Sequence, residues 1–110
     1  MSSSTTADVY FPVPTTFAQI LDSYENIQVL FGNIILFLYS HKSIQPATTL
    51  TIFLDRVYIF QDSVRFCLDH NTLGNEYTEQ LTNIKNTLDN ILQYCKETFN
   101  VIPQKPYTAT

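Results

Sequence analysis

One stretch limits what this chain can fold into more than any other. Asn26 to His41 reads NIQVLFGNIILFLYSH and holds no charged residue; the next charge is Lys42. Between Ile27 and Tyr39 only Gln28, Gly32 and Asn33 interrupt an apolar run. Such a run needs apolar cover, from a membrane, from the rest of the chain or from a partner. As a helix, Ile27 to Tyr39 is about 20 Å long at ~1.5 Å per residue. A membrane span needs ~20 apolar residues to bridge ~30 Å. Asn33 also lies mid-run, and Asp22 and Glu25 close it upstream. The length suits a core or interface helix.

The faces of that helix say more than its length. Phe17, Ile20, Tyr24, Ile27, Phe31, Ile34 and Leu38 recur at three-four spacing. This is the seam of a helix that packs on neighbours. Leu30 and Phe37 lie a heptad apart on a second face, and Gln28, Ile35 and Tyr39 lie on a third. The first half is one-sided, with Asp22, Ser23 and Glu25 outward. The second half is apolar nearly all round, the pattern of a helix buried on every side. Two neighbours in a small bundle do not supply that much cover, so a further surface is expected.

At 110 residues the chain is one domain. Charged residues make up 15%, against a typical value near 25%, and Thr, Asn, Ser and Gln supply the polarity instead. Two glycines argue against a turn-rich β protein and for a few long helices. Net charge is −4 and the six basic residues are scattered, so no basic stripe exists for nucleic acid. MSSSTTADVYF has neither the basic nor the apolar region of a signal peptide, and no Asn-x-Ser/Thr sequon occurs. With two cysteines placed far apart, these features point to an intracellular, cytoplasmic or nuclear, setting. The Asn, Thr, Ile and Tyr content suits an AT-rich genome, viral or otherwise.

Taken in order, residues 1–14 read as an N-terminal arm, Ser/Thr-rich at first and then held extended by Pro12 and Pro14. Its apolar residues suit packing across its own bundle, or onto a partner. Thr16 and Gln19 have the capping-box form, which starts a first helix over about 16–41. Pro46 opens a second helix over about 47–69. There Leu50, Phe53, Val57, Phe60, Val64 and Cys67 form the seam, with Ile52, Ile59 and Phe66 on a second line. Gly74 suits a positive φ and Asn75 a cap for a third helix over about 76–100. That helix carries one stripe, Tyr77, Leu81, Ile84, Leu88, Ile91, Cys95 and Phe99. Its other face, which includes Asn83, Asn86, Asp89 and Asn90, reads as solvated, and Pro103 ends it before a tail over 103–110. Short connections make consecutive helices antiparallel neighbours. The expected fold is all-α: an up-down-up antiparallel three-helix bundle with an extended N-terminal arm.

Little catalytic chemistry is legible. In this topology Cys67 and Cys95 are about 25 Å apart along the bundle, and a disulfide needs Cα atoms within ~7 Å. Both lie on apolar seams, where a thiol acts as a small hydrophobe. His70, one turn after Cys67, suits the end of a helix dipole better than a catalytic pair. His41 and His70 end successive antiparallel helices, which separates them, and no zinc-type ligand spacing occurs. No phosphate loop exists; Gly32 in mid-helix suits close approach of a neighbouring helix. No cofactor, metal or catalytic residue is assigned, and the chain is read as a non-enzyme. The expected function is a helical assembly or adaptor subunit. Its partner is another protein or itself, as a homodimer or higher oligomer. Leu30, Ile35, Phe37, Tyr39, Ile52, Ile59 and Phe66 form the interface. One alternative is a carrier of a small apolar ligand or lipid; another is a membrane-associated helical protein.

Overall fold

The computed structural model describes residues 13–101. Three long helices fill them: α1, Phe17–Ser40; α2, Pro46–His70; and α3, Thr78–Phe99, entered through a 3-10 turn over Asn75–Tyr77. No strand occurs among the described residues. The arm read over 1–14, save Val13 and Pro14, and the tail over 103–110 lie outside them.

Each boundary has a local cause. At the start of α1 the Thr16 hydroxyl accepts the Gln19 backbone N–H at 3.3 Å. The Gln19 side-chain oxygen accepts in return from the backbone N–H groups of Thr15 and Thr16. The box satisfies donors that a helix start otherwise leaves open. Pro46 is the first residue of α2, and Gln45 before it is extended, as a residue preceding proline prefers. Helix α2 ends at Asn71 in the left-handed region, φ 50°, and α3 ends at Asn100, φ 57°. Asn100 therefore stops α3 three residues ahead of Pro103, because its short amide tolerates that conformation. Gly74 adopts φ 89° as expected. Asn75 does not cap: it opens the 3-10 turn, and no side chain caps the start of α3.

The seams pack as the spacing predicts. Leu50, Phe53, Val57, Phe60, Val64 and Cys67 of α2 are all buried. So are Ile20, Ile27 and Leu38 of α1 and Leu81, Ile84, Leu88, Ile91 and Cys95 of α3. Phe17, Tyr24, Phe31 and Ile34 pack half-buried against this core. Each fully buried aliphatic or aromatic side chain contributes roughly 1.5–3 kcal/mol through loss of apolar surface to water.

Burial is divided unevenly. Helix α2 packs on both other helices and buries nine residues, whereas α1 buries three. The first helix is therefore not enclosed on every side by the described residues: Leu36 is 68% exposed and Val29 58%. Among the described residues Gly32 has no neighbour either, since a Cβ built there would meet nothing within 4 Å. The close helix approach expected at that glycine is not made by the described helices.

Helices α1 and α3 run parallel and meet through aromatic rings. Phe17 stacks on Tyr77 with centroids 4.4 Å apart. Further along, Phe31 meets the edge of Tyr94 at 5.7 Å. At the far end Tyr39 lies 6.1 Å from Phe99. Large rings span a gap that aliphatic side chains would leave open, and such pairs add about 0.5–1.5 kcal/mol beyond area burial.

A polar contact ties α2 to α3. The Gln61 amide, itself 3% exposed, donates to the Asp89 carboxylate, which also lies 3.8 Å from the Lys85 ammonium. Asp89 is thus a structural partner and not merely part of a solvated face. A buried amide needs such a partner, because left unmade the contact costs about 1–3 kcal/mol.

Two leucines test this partition. Leu50→Ala, at a site with no exposed surface, should lower the unfolding free energy by about 2–5 kcal/mol. Leu36→Ala, on the open face, should change it by less than about 0.5 kcal/mol. Urea melts at low protein concentration check both, and equal losses would show that Leu36 is core.

Candidate interaction surface

The exposed apolar side chains are concentrated on α1. Leu21, Val29, Leu36, Phe37 and Tyr39 are all exposed, joined by Ile44 in the connection and Ile52 on α2. At 100° per residue, Val29 and Leu36 point almost directly away from the Ile20–Ile27–Leu38 seam. Phe37 and Leu30 point to the side of α2, and Ile35 and Tyr39 to the side of α3.

The seven residues read as an interface separate accordingly. Phe37 (41% exposed), Tyr39 (53%) and Ile52 (68%) are open to solvent. Leu30 is half-buried against the core, and Ile35, Ile59 and Phe66 are half-buried as well. Tyr39 joins the α1–α3 aromatic group, with its hydroxyl 3.3 Å from that of Tyr94. That hydrogen bond, then the neighbouring phenolate charge and a little burial, raises the Tyr39 pKa above its ordinary 10.0. Val29 and Leu36, among the most exposed apolar residues, are missing from the sequence-derived set. Their heptad spacing opposite the seam was the available signal, hidden because the stretch is apolar on every face.

Two helix ends share one device. At the end of α1 the His41 ring stacks on Phe37 at 4.3 Å, and at the end of α2 His70 stacks on Phe66 at 4.1 Å. In each pair the imidazole Nδ1 lies near the carbonyl four residues back, 3.0 Å from Phe37 and 3.2 Å from Phe66. A carbonyl only accepts, so Nδ1 carries the proton. Each histidine ring thus adds a second donor to a carbonyl in the last turn of its helix; the Phe37 carbonyl also accepts the His41 backbone N–H at 2.9 Å.

Between α1 and α2 lies an open cleft of ≈ 340 Å³. Ile27, Ile59 and Phe60 form its apolar wall, Ser23, Asn26 and Arg56 add polar groups, and Pro14 flanks it. Ser63 also reaches it, although its hydroxyl donates to the Ile59 carbonyl at 3.2 Å. The volume is at the lower end of ligand-pocket sizes.

The remaining polar groups are structural in placement. Tyr58 has its pKa raised, first by burial and then by the Asp62 and Asp89 carboxylates. Asp62 lies 4.0 Å from Arg65, one turn on. Among the described residues, no group of three or more His, Cys, Asp or Glu side chains is placed to hold a metal ion. No helix among them is long and apolar enough to cross a membrane. Cys67 and Cys95 are free and buried.

Burial alone pushes the Cys95 thiol from its ordinary 9.0 up to about 11. A raised acid pKa means the unfolded chain loses its proton first. Its contribution to stability is therefore whole below about pH 9 and declines between about 9 and 11. Thermal melts across that range should show a decline that Cys95→Ala reduces. An unchanged slope in the variant would mean that other groups govern alkaline unfolding.

Compared with protein-family models, curated proteins and solved structures, the chain finds no match in any of the three.

Proposed function

We propose that this chain is a non-enzymatic helical subunit that works by protein–protein contact through the exposed apolar side of α1 and the start of α2. The observation that carries this reading is the position of the chain's least charged helix. Residues 26–41 hold no charge, yet Val29, Leu36, Phe37 and Tyr39 stand open to solvent. Scattered exposed apolar residues are ordinary, but this many on one uncharged stretch of a single helix suit an interaction site. Ile52 extends the group onto α2, and Leu30 and Ile59 fill its half-buried margin. Phe37 is the natural anchor, because aromatic residues dominate interface energetics. Two buried free thiols suit a reducing, intracellular setting.

A second reading, a carrier of a small apolar ligand, is favoured by the cleft beside Ile27 and Phe60. The two readings differ in what travels with the protein. Native mass spectrometry of a carrier shows an added small mass; an interaction subunit shows added whole chains.

The test of the main reading is solution mass by light scattering over a hundredfold concentration range. The expected result is a species heavier than the 12.7 kDa chain, whether from a second copy or another protein. Phe37→Asp should return it to 12.7 kDa with helicity by circular dichroism unchanged. A 12.7 kDa species at every concentration overturns the reading. Loss of helicity in Phe37→Asp would instead place Phe37 in the core.

A further inference from the structure

The outward face of α1 has a composition that matches itself. Val29 and Leu36 are its apolar residues, 58% and 68% exposed, a heptad apart. Gly32 lies between them with open space where a Cβ would be, and Asn33 beside it is exposed. Asp22 and Glu25 flank the face on its N-terminal side and Lys42 on its C-terminal side, all exposed. Neither the Arg65–Asp62 nor the Lys85–Asp89 ion pair involves any of these three.

We propose that a second copy of this chain packs antiparallel on this face, with the two α1 helices crossing at Gly32 and Asn33. This rests on the reading of the chain as an interaction subunit and names its partner. Three features fit this occupant. First, glycine in mid-helix is unfavourable relative to alanine, and nothing among the described residues packs on Gly32. A missing side chain at a crossing lets two helices approach to about 8 Å, the near end of the usual range. Second, a two-fold axis between residues 32 and 33 sets Val29 of each helix against Leu36 of the other, and Asn33 beside its own copy. An amide both donates and accepts, so an asparagine satisfies itself across a two-fold, and a single such residue selects register. Third, the same axis carries Asp22 and Glu25 of one chain to the level of the other's Lys42. A parallel pair would instead set Glu25 against Glu25 and Lys42 against Lys42. The charges thus complement a second copy in the antiparallel sense only.

Single cysteines placed on the face report the arrangement. Val29→Cys and Leu36→Cys are made on separate chains, with the native chain, whose own cysteines are buried, as control. Across the proposed axis, position 29 and its own copy are about 10 Å apart along the helices at ~1.5 Å per residue. That exceeds the ~7 Å limit on Cα separation in a disulfide. Mild oxidation should therefore cross-link the 1:1 mixture of the two chains into a dimer and leave each chain alone largely uncross-linked. Gly32→Leu, at a site open in the single chain, should weaken dimerisation at least tenfold with helicity retained. Lys42→Glu should weaken it severalfold, and adding Glu25→Lys should restore it. A heavier solution species whose mixture does not cross-link, or a Val29→Cys chain that cross-links to itself, overturns the antiparallel pair and leaves the interaction reading standing. So does a complex with a different protein that Leu36→Glu abolishes. A chain of 12.7 kDa at every concentration overturns both.

Discussion

The fold depends on the central helix having apolar side chains to give to two neighbours at once. Short connections place α2 between α1 and α3, so two arcs of its surface must be apolar. The Leu50–Phe53–Val57–Phe60–Val64–Cys67 seam serves this need, widened by Leu54 toward α3. Arg56, Asp55, Asp62, Arg65 and Asp69 are confined to what remains of the helix surface. Two polar side chains are buried with the seam, Gln61 and Ser63, and each has a partner: Asp89 on α3 and the Ile59 carbonyl within α2. This arrangement keeps the interior closed to uncompensated polar groups.

That constraint produces an inversion. The helix with the longest uncharged run lies on the outside of the bundle, and the one interleaved with aspartates and arginines lies at the centre. A three-helix layout gives α1 two neighbours, both on one side. Its seam toward Ile27 and Leu38 is consumed by them, and its back at Val29, Gly32 and Leu36 is left over. The surplus is not distributed at random. Most of it lies on α1, where it is bounded by acids at one end and a lysine at the other, and Ile52 carries it onto α2.

The α1–α3 contact has a different physical character from the α2 contacts. Helix α2 meets its neighbours chiefly through aliphatic residues, with one stacked ring pair, Phe31–Phe53, toward α1. Helix α1 reaches α3 through paired rings at three levels, Phe17–Tyr77, Phe31–Tyr94 and Tyr39–Phe99. Rings keep the two parallel helices in register while holding them further apart. This explains why Tyr39 and Tyr94 stay partly wet at the surface and share a hydroxyl contact there. It also separates Tyr39 from Phe37 in role, although they are two residues apart.

Much of this was legible in the chain itself. Local chemistry marked the helices: the Thr16–Gln19 box, Pro46 at a first turn, Gly74 at a positive φ, and seams whose three-four spacing decides which side packs inward. Those signals act within a few residues, so they survive without knowledge of the fold. Asn100 ended α3 before Pro103 because a left-handed asparagine is one of several ways to stop a helix, and the choice among them is made by the packing around the helix end. Gln61 could not be read as the partner of Asp89, since their meeting depends on the register between two helices. The largest difference concerns α1. Its sequence declares that its second half is apolar nearly all round, but says nothing about which face of that half is left uncovered. Only the packing of three helices decides that, because covering a surface depends on how many neighbours reach it.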